Sequence, residues 1–205
     1  ENGKARYITP AGEIGRSIFV YNPATKAWNY FDKEGNRVTG RQYIDGHLYY
    51  FKEDGSQAKG EIIEENGIKY YYEPDSGILA SGRYLQVGDD QWMYFKQDGS
   101  LAIGQVRADH GYLKYFDKNG IQVKGKTIVE DGKTYYYDAH SGALVTSSFA
   151  EIAPNQWSYF NTDGQALKGK WTINGKEYYF DQNGIQYKGQ ALSLIHISEP
   201  TRRSY

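Results

Sequence analysis

The sequence predicts an all-β chain, an elongated β-solenoid of stacked β-hairpin repeats. Three observations predict it: one short aromatic unit recurs eight times along 205 residues, each recurrence is followed by a turn glycine, and aliphatic residues are too scarce for one large spherical core. There are 21 Tyr and 24 Gly but a single Met, and the mean hydropathy is -0.76. The aromatic residues must therefore supply the core, a binding surface, or both.

The unit is an aromatic pair. Its copies are Tyr30-Phe31, Tyr50-Phe51, Tyr71-Tyr72, Tyr94-Phe95, Tyr115-Phe116, Tyr136-Tyr137, Tyr159-Phe160 and Tyr179-Phe180. A glycine follows each pair: Gly35, Gly55, Gly77, Gly99, Gly120, Gly142, Gly164 and Gly184. Five residues later comes a junction glycine in every copy but the sixth, which has Ser147. The period of 20 to 22 residues lies in the range of solenoids and arrays. A longer period lies on top of it. Trp28, Trp92 and Trp157 stand two residues before the pair in copies one, four and seven, at spacings of 64 and 65.

Each unit reads as a hairpin: a β-prone aromatic strand, a K-E-G, E-D-G, K-N-G or Q-N-G turn closed by glycine, and an alternating strand such as Ile121-Gln122-Val123-Lys124. One hairpin cannot bury its apolar face in water. Stacked copies can, each covering its neighbour. Residues 1–15 read as a partial repeat or N-terminal cap, 16–189 as the eight-copy array, and 190–205 as a non-repeat tail resembling vector- or adaptor-derived read-through.

Composition narrows the chemistry. With 24 basic and 25 acidic residues the formal charge is -1, which favours neither nucleic acid nor an anionic membrane. Cysteine is absent, so no disulfide or thiolate metal site exists. No apolar run is long enough for a transmembrane helix. His47, His110, His140 and His196 show no ligand spacing. The D-x-N-G turns lack the acidic positions of a calcium loop, and a thin solenoid offers no deep cleft for a glycosidase acid pair. No metal, cofactor or catalytic residue is expected.

Sugars present apolar C–H faces ringed by hydroxyls, and tyrosine can meet both. Copies two, five and eight carry Q-x-K after the turn: Gln57 and Lys59, Gln122 and Lys124, Gln186 and Lys188, again in the long period. Alternation puts each Gln and Lys on one face, with Ala58, Val123 and Tyr187 directed inward. Most of the 21 tyrosines must be structural, and a solvated Gln or Lys does nothing specific. It is the phase of these pairs that singles them out.

TINGKEYYFDQNGIQYKG at 172–189 and TIVEDGKTYYYDAHSG at 127–142 resemble the YG-type glucan-binding repeats of bacterial glucansucrase C-terminal regions, and the resemblance covers roughly residues 16–189. It implies a secreted, extracellular or cell-wall-associated, non-catalytic and monomeric module that holds α-glucan such as dextran or isomaltooligosaccharides. In that family a tyrosine stacks on the sugar beside a Gln and a Lys. Carried over, the stacking set is Tyr50, Tyr70 and Tyr71 near the first pair, Tyr115, Tyr135 and Tyr136 near the second, and Tyr179 near the third. Choline-binding repeats share the general plan but place Trp two residues past the junction glycine, where this chain has Gln42, Ile62, Tyr84, Val106, Thr127 and Trp171. Toxin- or adhesin-type repeats that bind host glycans, and a structural spacer, are the alternatives.

Overall fold

The computed structural model describes residues 5–188, so Gly189 and the non-repeat tail lie outside the described residues. The chain falls into two compact units, Glu1–Gln122 and Val123–Tyr205. The first unit contains five hairpins: β1 (Ile18–Asn22) with β2 (Ala27–Phe31), β3 (Gly40–Ile44) with β4 (His47–Phe51), β5 (Glu61–Glu65) with β6 (Ile68–Tyr72), β7 (Arg83–Gly88) with β8 (Gln91–Phe95), and β9 (Gly104–Arg107) with β10 (Leu113–Phe116). The second contains β11 (Lys126–Glu130) with β12 (Lys133–Tyr137), β13 (Ser148–Ala153) with β14 (Gln156–Phe160), and β15 (Gly169–Ile173) with β16 (Lys176–Phe180). Among the described residues the only helical element is a single 3₁₀ turn, Asp109–Gly111. The all-β, hairpin-repeat class holds.

The hairpin is phased differently from the sequence reading. The aromatic pair ends the second strand of a hairpin whose first strand precedes it. Four of the connecting turns are Asp45-Gly46, Asn66-Gly67, Asp131-Gly132 and Asn174-Gly175, with φ of 48° and 85°, 53° and 77°, 49° and 74°, and 50° and 77°. Positive φ at both central residues is the type I′ turn that matches strand twist. The D-x-x-G segment after the pair is a turn closed on itself. In copy five Gly120 N–H donates to Asp117 O at 2.8 Å, and Asp117 Oδ1 accepts from the N–H groups of Asn119 and Ile121 at 2.8 and 2.9 Å. The residues past that turn make two isolated bridges, Met93↔Ile121 and Phe116↔Gln122, rather than a strand. Without a strand the expected alternation fails: Ala58 is buried as expected, but Gln57 is buried beside it and Tyr187 is exposed.

Copies are joined by one recurring backbone hydrogen bond. The residue after the turn donates its N–H to the carbonyl two residues before the aromatic pair of the preceding copy. In the first unit these bonds are Gln57 to Trp28 at 2.7 Å and, each at 2.8 Å, Leu79 to Leu48, Leu101 to Lys69 and Gln122 to Trp92. In the second unit they are Ala166 to Thr134 at 2.8 Å and Gln186 to Trp157 at 2.7 Å. The side chain at the same position fills the space under the next turn glycine. A Cβ on Gly99 would stand 2.6 Å from Leu79 Cδ2, and one on Gly77 would stand 2.2 Å from Gln57 Nε2.

The core is an aromatic ladder. Phe51, Tyr72, Phe95, Phe116, Tyr137, Phe160 and Phe180 are fully buried. The first ring of one pair packs on the second ring of the next: Tyr50 on Tyr72 at 5.8 Å, Tyr71 on Phe95 at 5.7 Å and Tyr94 on Phe116 at 6.0 Å in the first unit, and Tyr136 on Phe160 at 6.0 Å in the second. Such offset pairs add about 0.5–1.5 kcal/mol to their area burial.

Junction residues take positive φ, and Ser147 does so at 48°, with its N–H donating to Asn161 O at 3.0 Å. A side chain is strained there and this one is exposed. Ser147→Gly is expected to stabilise the second unit by about 0.5–1 kcal/mol, read from the denaturant midpoint at unchanged m-value.

Candidate functional site

The long period has a structural meaning. At each period-marking tryptophan the chain assembles one constellation from two consecutive copies. A residue two past the junction and the tryptophan come from the first copy. The residue just before the aromatic pair and the Gln that follows the turn come from the second, with the Lys two residues on joining them in the second unit. The bond from the Gln N–H to the Trp carbonyl, made at Trp28, Trp92 and Trp157, holds each arrangement together.

The constellation is clearest in the second unit. Phe149, Trp157, Tyr178, Gln186 and Lys188 line a surface cleft of about 290 Å³. Phe149 sits 4.9 Å edge-on to Tyr159 and 5.0 Å from Tyr178, which fixes the floor. Lys188 Nζ lies 4.6 Å above the Trp157 ring. The lysine is exposed and carries three N–H donors on a flexible stem. Three aromatic surfaces beside an amide and an ammonium can receive the apolar face of a ring and bond its rim.

The first unit repeats the pattern with Phe19, Trp28 and Tyr49. Phe19 lies 4.8 Å from Tyr30 and 5.4 Å from Tyr49, and the Trp28 indole is 39% exposed. Here Gln57 is 6% exposed and its Nε2 donates to Ser76 O at 3.1 Å, while Lys59 Nζ donates to Asp75 O at 2.5 Å.

The residues expected from the sequence divide accordingly. Gln186 and Lys188 line the cleft, whereas Tyr179 does not, its ring packing 5.4 Å from Tyr187. Tyr50, Tyr71 and Tyr136 give their faces to the aromatic ladder, because few aliphatic side chains are available to build that core. Gln57 is committed to the next turn, because the glycine there leaves room for its amide. Tyr70 lies under the Arg41 guanidinium at 4.1 Å and borders a separate cleft of about 330 Å³ with Lys69, Lys96 and Lys118. Tyr115 on β10 pairs with Gln105 on β9, and Gln122 N–H donates to the Trp92 carbonyl. In the second unit Tyr135 is half-buried opposite Ile128, and Lys124 is half-buried. Sequence reasoning used the tryptophans only as period markers and missed Phe149, Trp157 and Tyr178 as site residues. The clue was that Trp and the following Q-x-K share one phase. The copy-eight pair therefore pairs backward with copy seven and needs no following unit.

The Trp92 constellation differs. Tyr84 replaces the phenylalanine and Lys114 replaces the tyrosine. Tyr84 O–H donates to Asp109 Oδ1 at 2.6 Å, and Lys114 Nζ meets the same oxygen at 3.0 Å and lies 5.0 Å from the Tyr84 ring centre. Burial and the adjacent carboxylate push the Tyr84 hydroxyl far above its ordinary pKa. For Asp109, burial favours the neutral acid, but the hydrogen bonds from Tyr84 and Lys114 and the lysine charge outweigh it and hold the carboxyl at about 2. A carboxyl lowered in the folded state stabilises above its unfolded pKa of about 3.9, and that stability is lost as pH falls through the folded value. Between about pH 4 and 2 the parent should thus lose about 1–2 kcal/mol more than Asp109→Asn, the figure being reduced for partial solvent screening. Denaturant titrations of both proteins across that range check it.

Among the described residues no group of His, Asp or Glu is placed to hold a metal ion.

The choline-binding repeat matches residues 23–54, 38–84 and 109–149, and the cell wall binding repeat matches residues 148–166 and 172–185. The chain is 40% identical over 167 residues to Glucosyltransferase-S of Streptococcus mutans, across 81% of this chain and 11% of that protein. It is 40% identical over 168 residues to Glucosyltransferase-I of Streptococcus downei, across 81% of this chain and 10% of that protein. It thus spans about a tenth of the length of these curated relatives. CbpJ from Streptococcus pneumoniae superposes with a TM-score of 0.68 at 25% identity, over 78% of this chain and 56% of that one. The choline-binding domain of CbpL from the same organism superposes at 0.67 and 24% identity, over 93% and 96% of the two chains, and shows the shared fold.

Proposed function

We propose, from the premise that this chain belongs to the choline-binding repeat family, that it binds neutral α-glucan of the dextran type through its Trp-centred clefts. The chain is a binding repeat and not a catalytic domain. The observation that carries the reading is the cleft of Phe149, Trp157 and Tyr178 with Gln186 and Lys188 at its edge. A glucose ring stacks on the indole, and Gln186 and Lys188 bond its hydroxyls. The identity to two streptococcal glucosyltransferases supports glucan as the polymer. In that setting the repeats work outside the cell or at the wall and hold an enzyme to polymer. Each cleft is shallow, so repetition along a long chain raises the apparent affinity through effective concentration.

Lys188 favours a sugar over a quaternary ammonium. Its ammonium already lies over the Trp157 ring, where a bound cation would sit. Two cations on one face repel. A neutral sugar meets no such penalty and gains donors.

The test is retardation of the protein in a native gel containing dextran, compared with a dextran-free gel. Retardation is expected to persist at high salt, because a neutral polymer engages no screened charge, and to be unaffected by choline. No retardation would sink the reading. Retardation lost steeply with salt would point to an acidic glycan, and retardation abolished by choline would point to the ammonium ligand.

A further inference from the structure

We infer that the middle of the three Trp-centred sites is closed from within, Lys114 occupying the place that a ligand takes at Trp28 and Trp157, so that the chain carries two glucan sites rather than three. This inference rests on the glucan reading.

Three departures coincide in one copy, and they fit each other. Lys114 stands just before Tyr115-Phe116, where the matching residues of copies two and eight are Tyr49 and Tyr178. Tyr84 stands two past its junction, where the other sites have Phe19 and Phe149. The hairpin turn of copy five is Asp109-His110-Gly111, one residue longer than Asp45-Gly46 or Asn174-Gly175. The longer turn carries Asp109 to face Tyr84. Its Oδ1 then receives the Tyr84 hydroxyl at 2.6 Å and the Lys114 ammonium at 3.0 Å, and His110 Nδ1 lies 3.4 Å from Oδ2.

The contrast with Lys188 is one of freedom. Lys188 is exposed and covers its indole only with the tip of a mobile stem. Lys114 is 8% exposed, ion-paired, and held 5.0 Å from the Tyr84 ring centre. To admit a sugar the buried Lys114 ammonium would have to give up its ion pair with the half-buried Asp109. Leaving a buried ammonium without its partner is unfavourable, and a single shallow sugar contact returns little.

The chain has four tryptophans, so four indole N–H resonances report on the sites separately. They are followed by NMR while an isomaltooligosaccharide is added. Trp28 and Trp157 should shift to saturation. Trp92 should stay, as should Trp171, whose Nε1–H donates to Lys168 O at 2.8 Å. In Asp109→Asn/Lys114→Tyr, Trp92 should join the first two. A Trp92 shift in the parent alongside the others would overturn the inference alone, whether or not the double variant folds. So would a folded double variant whose Trp92 stays still. If no indole moves in either protein, the glucan reading fails and the inference with it.

Discussion

Replacing Phe116 by alanine will remove about 3–5 kcal/mol of stability from the first unit. Phe116 is fully buried, its ring stacks on Tyr94 at 6.0 Å, and it closes a cluster with Tyr94, Ala102 and Ala108 flanked by Tyr84 and Val106. Two members of that cluster are alanines, which have no longer side chain to swing into the cavity. The site therefore collapses poorly, and the loss belongs at the upper end of the range. In a linear array each copy leans on its neighbours, so the damage should spread first to adjacent hairpins. Hydrogen exchange should show it as early opening of β7 to β10. Tyr43 provides the control. It is 73% exposed, and its change to alanine should stay within about 0.5 kcal/mol. A Phe116→Ala protein as stable as the Tyr43→Ala protein would mean that the ladder is not what holds the copies together.

Much of this architecture was legible because the chain writes it eight times. A pattern that persists over 20-residue steps cannot be a local accident, and the aromatic pairs, turn glycines and marker tryptophans all fell into place. The hairpin phase was harder. Glycine punctuates both sides of most aromatic strands, at Gly46 and Gly55 in copy two, so either turn can be taken for the hairpin loop. What separates them is the dipeptide: Asp45-Gly46 supplies positive φ at both central residues, whereas the Asp-x-x-Gly turn closes around its own aspartate. Burial of Gln57 was out of reach for a different reason. Its amide occupies a space that exists only because Gly77, twenty residues on, lacks a Cβ. The candidate cleft shared this difficulty. Trp157 and Gln186 carry the same periodic phase, but only the N–H to carbonyl bond between them shows that they belong to one site. Lys114 had no periodic signal at all, being a single departure from the repeat whose meaning depends on a carboxylate brought in by one added turn residue.

Trp157→Ala is expected to weaken isomaltooligosaccharide binding at the second-unit cleft by about 10- to 100-fold. A large apolar side chain buried by its partner contributes about 1.5–3 kcal/mol, and 1.4 kcal/mol is a factor of ten. The indole is the broadest surface in that cleft, and Phe149 and Tyr178 are turned partly toward each other at 5.0 Å, so they cannot replace it. Gln186→Ala should cost less, about 0.5–1.5 kcal/mol for one hydrogen bond to a neutral hydroxyl, or a few-fold in affinity. Neither change should unfold the copy. The bond that joins copies seven and eight runs from the Gln186 N–H to the Trp157 carbonyl, and both groups are backbone that survives truncation to alanine. Trp171→Ala removes an equally large ring that bonds Lys168 O and lies outside the cleft, and it should bind as the parent does. The ligand must be short, because long dextran would bridge to the Trp28 site and hide one lost cleft through effective concentration. Titration calorimetry gives affinity and stoichiometry together, and circular dichroism confirms the fold. A folded Trp157→Ala protein with the parent's affinity and stoichiometry would place the sugar away from the tryptophans and undo the assignment of the site.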